Sequence, residues 1–375
     1  MDFTLSEEQQ LIKRTASEVA EEHFADDAFT WGGEIPWPNV ETMAEQGLLG
    51  ISLPEEYGGG GYGVFEVLLA TEAVGRVCPD TAHVLSRSSM GSPRAIASLG
   101  SDRLKEKYLP DVTAGNSLIT VAISESEAGS DAGAMETSAR RDGDEVVLNG
   151  DKMWVSKGHV ADAFLVYARY PDDGIGAVIV DADAPGLTIE NDYVNMADHT
   201  QSLLRFEDCR VPAENELAVG DDGFKALLKE FNVERCHNAM MCVTCGLNAF
   251  DKALEYSKDR EQFDQPIGDF QAIEHKLADM AIQLDAARLL IYRTAENARD
   301  GTASRMESSI AKVFANEAGQ DVIDEALQIH GANGYQQGHP LEYLYRWVRG
   351  WRIAGGTVEI HRNGIARLLK KYGFE

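Results

Sequence analysis

The spacing of hydrophobic residues changes twice along this 375-residue chain, and the change divides it into helical, β and helical parts. From residue 118 the segments are short, alternate with a period of two and are rich in β-branched and aromatic residues, which is typical of strands. They read LITVAIS, METSARR, EVVLNG, DKMWVS, AFLVYARY and GAVIVD, with turn signals such as Asp142-Gly143 between them. We therefore predict a middle β-domain over residues 118–222, after an N-terminal α-helical domain over residues 1–117.

Helical spacing governs the first domain and returns after Gly223. The first helix begins at Ser6, a candidate N-cap with Gln9 three residues later, as in a capping box. Further helices are predicted over residues 39–47, 66–75, 92–99 and 102–109, the last one ending before Pro110, and over residues 224–259, 270–299, 304–331, 340–350 and 358–371. Long helices with short connections pack side by side, so residues 223–375 are predicted to form an antiparallel bundle of the four-helix type. The fold class is therefore mainly α with a β insert.

Length and composition indicate a globular protein with more than one core. The chain exceeds the roughly 250–300 residues at which a single core stops growing, and its hydrophobic content of 44% is ordinary for such a protein. No apolar run approaches the ~18 residues of a membrane span. The N-terminus, MDFTLSEEQQ, lacks the basic start and apolar core of a signal peptide. We expect a soluble cytoplasmic protein.

The chain is strongly acidic, with 34 basic and 62 acidic residues and a formal net charge of −28. Such a negative field repels nucleic acid and anionic membrane surfaces, so we expect neither as a partner. The acidic residues are scattered through helices and loops, which resembles proteins adapted to high salt, where screening weakens self-repulsion. A halophilic protein is the preferred interpretation, and an acidic mesophilic enzyme is the alternative.

The cysteines lack the spacing of a disulfide framework and are an odd number. Cys242 and Cys245 form a CxxC pair, but the pair lies inside a helical stretch and has no second pair to complete a metal site. We interpret the cysteines as small buried side chains: Cys78, Cys209, Cys236, Cys242 and Cys245.

A glycine-rich segment, ISLPEEYGGGGYG, formally contains the dinucleotide-binding pattern GxGxxG at Gly58, Gly60 and Gly63. No predicted strand precedes it and no βαβ unit follows, so we interpret it as a glycine-rich loop. The sequence contains no HExxH, GxSxG or GxxxxGK pattern that would indicate a metalloprotease, a serine hydrolase or a phosphate loop.

The stretch from Phe231 to Gln271 has the layout of an active site. A long predicted helix carries one acid, Glu234, on a turn that is otherwise poor in charge. Pro266 and Gly268 then interrupt the helical pattern, and apolar spacing resumes at Ile273. A second helix is therefore predicted to pack on the first.

Several strings of this sequence resemble one known family in the same order along the chain. They are GLLGISLPEEYGG, SESEAGSD, KMWVSKG, YSKDREQFDQPIGDFQAIEHKLADMA and RIAGGTVEIHRNGIAR. The chain resembles the acyl-CoA dehydrogenases over nearly its whole length. The resemblance implies noncovalently bound FAD, oxidation of an acyl-CoA to the 2,3-enoyl-CoA, and transfer of electrons to an electron-transfer flavoprotein. In this chemistry a carboxylate removes the α-proton while the β-carbon gives a hydride to flavin N5.

The resemblance implies Glu234 as the base. In most of the family a glutamate precedes Gly-Thr in the C-terminal string, but Gly355 stands at that position here. A minority, including the isovaleryl-CoA and long-chain acyl-CoA dehydrogenases, carry the glutamate on the bundle helix before an arginine, which matches Glu234 and Arg235. Gly355 would then contribute its backbone N–H to the thioester oxygen. A solvated helix acid is the alternative for Glu234.

The resemblance also implies FAD contacts, residue by residue. Ser124 and Ser156 stand where hydroxyls bond the isoalloxazine edge, and Trp154 would lie along the ring, with a plain core residue as the alternative. Arg260 would reach the FAD pyrophosphate of a neighbouring subunit, which implies at least a dimer and by analogy a homotetramer, with a surface ion pair as the alternative. The other implied FAD contacts are Phe263, Gln271, Gln328, Gly331, Thr357 and Glu359.

For the acyl-CoA, the matching positions are Ser130, Arg235 and Gly356. Two strings depart from the family's pattern: SESEAGSD has Ser126 and Glu127 where proline and glycine are usual, and RWVRG has Trp347 in place of an aspartate. We expect these changes near the mouth of the substrate site.

Two other functions stay open at this point. An acyl-CoA oxidase would have the same fold and pass electrons to oxygen. A noncatalytic FAD- or acyl-CoA-binding subunit of a mixed oligomer would use Glu234 only as a helix acid. A nucleic-acid-binding branch of the family relies on basic surface, which this chain lacks.

Overall fold

The structure is a computed structural model that describes residues 4–220, 222–299 and 303–373. The predicted domains extend to residues 1–3, 221, 300–302 and 374–375, which lie outside the described residues. The contacts divide the chain into two compact units. Unit 1 comprises Met1–Trp31, Val64–His83 and Asn232–Glu375, and unit 2 comprises Gly32–Gly63 and Val84–Phe231.

Helices occupy the two ends of the described chain, as predicted. Before the sheet they are α1 (Glu7–His23), α2 (Trp37–Glu45), α3 (Val64–Val77), α4 (Pro79–Ser89), α5 (Ser92–Leu99) and α6 (Asp102–Thr113). After the sheet they are α7 (Gly223–Asp259), α8 (Gln271–Glu296), α9 (Arg305–His330), α10 (Pro340–Trp351) and α11 (Val358–Tyr372). The predicted class, mainly α with a β insert and a helical C-terminal part, is confirmed. The domain boundaries at residues 117/118 and 222/223 stay predictions.

The sheet of unit 2 has the strand order β6-β7-β3-β2-β4-β5-β8, with β1 pairing in parallel with β4. Its strands are β1 (Ile119–Ala122), β2 (Ser138–Asp142), β3 (Glu145–Ser156), β4 (Ala163–Tyr170), β5 (Gly174–Asp181), β6 (Leu187–Val194), β7 (Thr200–Pro212) and β8 (Glu216–Leu217). A two-stranded hairpin, β9 (Glu261–Gln262) and β10 (Gln265–Pro266), joins α7 to α8.

Strand β4 shows how the sheet is buried on both faces. Leu165 and Tyr167 belong to one hydrophobic cluster, which includes residues of α5 and α6. Phe164 and Val166 point to the opposite face and belong to a second cluster. Because neighbouring side chains of a strand alternate between faces, both faces are apolar, which explains the continuous hydrophobic run in AFLVYARY.

Three local predictions are confirmed. Ser6 caps α1 in a capping box, in which its hydroxyl accepts from the Gln9 N–H at 3.1 Å and the Gln9 side chain accepts from the Ser6 N–H at 3.0 Å. All five cysteines are free and buried. The glycine-rich segment forms a loop after a short 3-10 helix over Glu55–Tyr57, so the GxGxxG pattern there has no strand–turn–helix context.

The predicted end of α6 before Pro110 is wrong, because the helix continues to Thr113. Pro110 lies on the solvent side, where the carbonyl oxygen four residues earlier can turn to water. Leu109 and Val112 are buried and keep the last turn packed. The predicted strands EVVLNG and DKMWVS form one strand, β3, and the prediction missed α4, β6, β7 and the short β8.

Unit 1 is built from α1, α3, the bundle helices and part of α4. Helix α9 packs against α8, α10 and α11, and α1 packs against α3. None of the helices in the described ranges has a stretch of the length and hydropathy that a bilayer crossing requires.

A buried carboxylate on α3 connects three helices of unit 1. Glu72 accepts from Lys13 on α1 at 2.6 Å, and from Arg288 at 3.1 Å and Tyr292 at 2.5 Å, both on α8. Burial opposes the ionisation of Glu72, but Lys13 and Arg288 outweigh it and hold the pKa of this carboxyl below its usual value. The ionised carboxylate is therefore the form that ties α1, α3 and α8 together.

We predict that Glu72→Gln lowers the free energy of unfolding by about 3 kcal/mol at pH 7, because it leaves two cations without their partner. A carboxyl with a lowered pKa stabilises the folded state above its unfolded pKa of ~4.3, and this contribution is lost as the pH falls through the folded value. The difference from wild type should therefore shrink below about pH 4. Urea unfolding in molar salt at both pH values measures it. Glu66→Gln, on the same helix, is the control and should cost less than half as much; equal losses would contradict the network's role.

Candidate active site

Glu234 lies on α7 and is 7% exposed. Its backbone carbonyl accepts a hydrogen bond from Nδ2 of Asn238, one turn later, at 2.9 Å. Glutamate is rarely buried to this degree unless it is paired or has a chemical role. The burial argues against the alternative that Glu234 is a solvated helix acid.

The side chain of Asn238 occupies the space beside Gly355. A Cβ atom at Gly355 would lie 3.1 Å from Nδ2 of Asn238 and 3.4 Å from its Oδ1. Gly355 also has a φ of +66°, in the left-handed region that favours glycine. The backbone conformation and the Asn238 amide therefore both disfavour a side chain at position 355.

The backbone N–H of Gly355 makes no hydrogen bond to another residue in the described parts of the chain. The carbonyl of the same residue, by contrast, is bound by the His361 ring, with Nε2 at 3.1 Å. Gly356 follows with a φ of +90°, and its carbonyl accepts from Lys312 at 3.0 Å. The turn between α10 and α11 thus fixes its carbonyls and leaves an N–H that can donate to an oxyanion.

Arg235 follows Glu234 and donates to the side chain of Asn232. Burial, together with the positive charge of nearby Arg305, lowers the pKa of Arg235 to about 10. The guanidinium remains charged at neutral pH and is a candidate partner for an anionic or carbonyl group of a ligand.

Thr357 and Glu359 lie at the start of α11. The Thr357 hydroxyl accepts from the N–H of Ile360 at 3.3 Å and is the N-cap of the helix. Glu359 is exposed, and hydrogen bonds from its own N–H and from the Thr357 hydroxyl lower the pKa of its carboxyl. Both side chains are near the free N–H groups of a helix N-terminus, where a phosphate also binds favourably.

The other predicted contacts of unit 1 form a group that we call the distal cluster. It consists of Arg260, Phe263, Gln271, Gln328 and Gly331, all of them exposed. Arg260 has no ion pair with a residue in the described ranges, so the alternative of a surface ion pair finds no support there. Phe263 is 89% exposed and has a φ of +55°, and its ring forms a T-shaped pair with Phe270 at 6.0 Å between centroids.

Two contacts bring the ends of α7 and α9 together in this cluster. The ring of Tyr256 stacks on His330 at 4.2 Å, and Asn333 donates to the Tyr256 hydroxyl at 2.8 Å. Helix α7 rises about 37 Å from Glu234 to its end at Asp259, at 1.5 Å per residue. Unit 1 therefore carries two separate groups of predicted contacts, one beside Glu234 and one at the other end of the bundle.

In unit 2, Trp154 is placed for contact with a flat ligand. A register shift in the pairing of β3 with β7 lies between Lys152 and Val155, and Trp154 within it has a φ of +62°. Its side chain is 50% exposed and packs at an angle on Tyr193, with 5.3 Å between ring centroids. Bulges re-aim side chains near sites, and the exposure of Trp154 argues against the plain core alternative. These features fit a flavin ring.

A buried ion pair supports the loop that carries Ser124. Glu125 accepts from Lys152 at 2.6 Å and from the N–H groups of Glu136 and Thr137 at 2.6 and 3.0 Å. Burial opposes the ionisation of Glu125, yet these donors hold the pKa of its carboxyl below the usual value. Ser124 is thereby held next to β3, where its carbonyl accepts from the N–H of Met153 at 2.8 Å.

The remaining predicted positions of unit 2 are exposed. Ser156 ends β3, and Ser130 lies in the loop before β2. Ser126 and Glu127, two of the departures from the family's pattern, are exposed in the same loop as Ser130. An acid thus stands beside one predicted acyl-CoA contact.

The third departure, Trp347, lies in a buried aromatic cluster of unit 1. It is 6% exposed, and its ring centroid is 6.0 Å from His83 and 6.3 Å from Trp351. His83 stacks in parallel on His237, which is one turn after Glu234, at 5.5 Å. At this position, aromatic packing close to Glu234 thus stands where the family's pattern has a charge.

Sequence reasoning missed the residues that shape the turn at Gly355. Asn238, Lys312 and His361 contact this turn from three different helices. His361 lies in the string RIAGGTVEIHRNGIAR and could have been considered, but the tertiary contacts of Asn238 and Lys312 leave no local pattern. The apolar sequence neighbours of Asn238 on α7 and of Lys312 on α9 indicate at most that these two side chains are buried.

Comparison with known proteins identifies three matching family models and several relatives. Acyl-CoA dehydrogenase N-terminal, middle and C-terminal domain models match residues 6–116, 120–209 and 221–370. A probable acyl-CoA dehydrogenase, YngJ of Bacillus subtilis, is 36% identical, with 99% of this chain and 100% of that protein covered. The acryloyl-CoA reductase (NADH) of Anaerotignum propionicum is 37% identical, with 99% and 96% covered. The butyryl-CoA dehydrogenase structure from Megasphaera elsdenii has a TM-score of 0.91 and 31% identity, over 99% of this chain and all of that chain.

We predict that Gly355→Ala destabilises the protein by about 2 kcal/mol, since alanine is strained at this φ and its Cβ would crowd Asn238. Gly338→Ala is the matched control, because Gly338 has a φ of +85° and a Cβ added there would have no atom within 4 Å. It carries the backbone strain without the crowding and should cost less. The free energy of unfolding measures both. In an Asn238→Ala background, Gly355→Ala and Gly338→Ala should lower the free energy of unfolding by the same amount. If Gly355→Ala still costs more there, crowding by Asn238 is not the cause.

Proposed function

Because the chain belongs to the acyl-CoA dehydrogenase family of FAD-binding oxidoreductases, we propose that it oxidises an acyl-CoA thioester to the 2,3-enoyl-CoA with Glu234 as the base. The observation that carries this proposal is the arrangement at the turn after α10. A side chain at position 355 would stand at a strained φ and crowd the Asn238 amide, while the buried Glu234 lies one helical turn from Asn238.

The residues of the turn supply the electrostatic part of the reaction. The α-proton of a thioester is too weakly acidic for a carboxylate in water, so the developing enolate oxygen requires donors in a site from which water is excluded. The Gly355 N–H is one such donor. Glu234 receives the proton, and Arg235 binds the part of the acyl-CoA beyond the thioester, with Ser130 and Gly356 as further contacts.

FAD, when bound, accepts the hydride from the β-carbon. Ser124 and Ser156 would donate to the edge of its ring system, and Trp154 would pack along the ring. Thr357 and Glu359 would lie at its diphosphate and adenine region. These assignments follow the resemblance, and the exposure and backbone geometry of Trp154 support them.

The distal cluster leads to a proposed homotetramer. Arg260, Phe263, Gln271, Gln328 and Gly331 lie at the far end of a helix that rises about 37 Å from Glu234. We assign them to the FAD of a neighbouring subunit, with Arg260 at the pyrophosphate. Each site would then need residues from two chains.

We also propose a direction for the redox reaction and an electron acceptor. We favour oxidation of a fatty or branched-chain acyl-CoA with an electron-transfer flavoprotein as acceptor. The similarity to an acryloyl-CoA reductase makes reduction of an enoyl-CoA the second candidate. We further propose a cytoplasmic protein, since five free thiols fit a reducing compartment.

We predict that Glu234→Gln slows flavin reduction by an acyl-CoA about 10²–10⁴-fold, the usual contribution of a general base, while FAD stays bound. Anaerobic flavin absorbance, titrated in molar salt with a panel of acyl-CoAs, measures it. Glu230→Gln is the matched control, because Glu230 is another largely buried acid on α7, paired with Arg94 at 2.9 Å. It should leave the rate within about threefold of wild type.

Three results would contradict this assignment. Equal reduction by Glu234→Gln would exclude Glu234 as the base. Bound flavin that no acyl-CoA reduces would favour the noncatalytic subunit. Rapid oxygen consumption with substrate would indicate an acyl-CoA oxidase.

We also propose a halophilic protein and predict that its stability rises with salt. A net charge of −28 repels itself over a Debye length of about 10 Å at 0.1 M salt and about 3 Å at 1 M. The free energy of unfolding by urea should be higher in 2 M KCl than in 0.1 M KCl. A neutral osmolyte at equal water activity is the control, and equal stability at both salt concentrations would disprove the adaptation.

A further inference from the structure

Lys312 bridges the two ends of the segment that carries Gly355. This lysine lies on α9 and is fully buried. Its ammonium group donates to the carbonyl of Trp351 at 3.0 Å and to the carbonyl of Gly356 at 3.0 Å. The four residues between these carbonyls, 352–355, include the N–H that the proposed function assigns to the thioester oxygen. One side chain therefore closes this segment into a ring.

Two further side chains of unit 1 contact the same segment, Asn316 and His361, and Ser309 contacts the His361 ring. Asn316, one turn after Lys312, donates to the Trp351 carbonyl at 2.5 Å. His361 on α11 donates through Nε2 to the Gly355 carbonyl, while its Nδ1 is 3.3 Å from the hydroxyl of Ser309 on α9. Burial lowers the pKa of His361 to about 4, so the ring is neutral at working pH and can both donate and accept.

The environment of Lys312 contains no carboxylate that pairs with it in the described ranges, and its hydrogen-bond partners there are carbonyl oxygens. Burial is the main cause that lowers the pKa of Lys312 to about 8. The charged or titratable groups near it are Arg235 and Cys242 on α7, and Glu359 and His361 on α11. Burying an unpaired ammonium is costly compared with an apolar side chain of similar size.

The cost of burying the Lys312 ammonium is best explained by the distance that it fixes between its two carbonyl partners. Neither carbonyl needs a charge, since a neutral donor would satisfy each of them. A long side chain with several donors on one atom, however, can hold two carbonyls five residues apart at a fixed separation. An oxyanion donor must lie within a few tenths of an ångström of its position to be effective.

We propose that Lys312 is a positioning residue for the reaction, and that its ammonium group fixes the segment from Trp351 to Gly356 so that the Gly355 N–H faces the thioester oxygen. The inference rests on the proposed function. Lys312 touches neither substrate nor FAD in this scheme and acts through the backbone.

The charge of Lys312 then matters for turnover in a defined pH window. Charge-assisted hydrogen bonds are about twice as strong as neutral ones. As the pH rises through about 8 the amine loses its charge, so turnover should fall. Stability changes in the opposite direction: the unfolded chain holds this proton up to about pH 10.5, so deprotonation in the folded state removes the cost of burying a charge. A positioning role therefore predicts that turnover falls while stability rises. Damage to the fold would lower both together.

The test compares Lys312→Gln, Lys312→Met and wild type as FAD-loaded oligomers, with Lys276→Gln as the control. Lys276 lies on α8, is partly exposed and pairs with Glu325. We expect the rate of flavin reduction at saturating acyl-CoA to fall about 10–100-fold in Lys312→Met, the size expected for a displaced oxyanion donor. KM should change by less than about threefold. Lys312→Gln keeps a donor and should retain more activity, without the decline near pH 8.

A second readout does not depend on turnover. A 3-thiaacyl-CoA can lose its α-proton but cannot be oxidised, so its charge-transfer absorbance with bound flavin reports stabilisation of the enolate alone. This band should weaken at least tenfold in Lys312→Met, while the ligand still binds.

The outcomes distinguish failure of the proposed function from failure of the positioning role of Lys312. If wild type itself is not reduced by any acyl-CoA, the proposed function fails before Lys312 is tested. If wild type is active and Lys312→Met reduces FAD at the wild-type rate, or loses FAD and stability in proportion to activity, the positioning role is disproved. A pH decline that persists in Lys312→Gln would also disprove it.

Discussion

Helix α7 is the element that sets the distance between the two groups of proposed contacts in unit 1. It runs without interruption for 37 residues and carries Glu234 and Asn238 in its first half. Because a helix is stiff over this length, the distance from Glu234 to the end of the helix before Arg260 is fixed within one chain. If the proposed roles of Glu234 and Arg260 hold, this separation is the reason for assigning the two contacts to the FAD sites of different subunits.

The charges on the surface and the charges in the interior respond differently to salt. The surface is dominated by acids and gives a formal charge of −28, while the buried charges include several cations. Lys152 and Lys312 are both fully buried, but Lys152 has the carboxylate of Glu125 and Lys312 has backbone carbonyls. Salt screens the surface charges and acts little on the buried ones. High salt could thus stabilise the fold while leaving the geometry around Gly355 unchanged.

The sequence predicted the order of helices and strands because periodicity and capping are local properties. The bundle helices agree to within a few residues, and the capping box at Ser6 is present. Errors occurred where tertiary packing outweighs local signals, as at Pro110, which lies on an exposed face of α6. For the site, the string KMWVSKG pointed to Trp154 and the helix acid before Arg235 pointed to Glu234, but neither signal indicated the surroundings. The contact of Asn238 with Gly355, and the bridge from Lys312, join residues more than 35 positions apart and leave no pattern in the chain. The roles of the individual site residues stay predictions.

The crowding of Gly355 by Asn238 also limits the evolutionary paths open to this protein. A glutamate that returned to position 355 would meet both an unfavourable φ and the Asn238 amide. Positions 238 and 355 are therefore coupled: a side chain at 355 should be tolerated better where residue 238 is smaller. Under the proposed function, Asn238 would restrict where the base can stand without taking part in the chemistry.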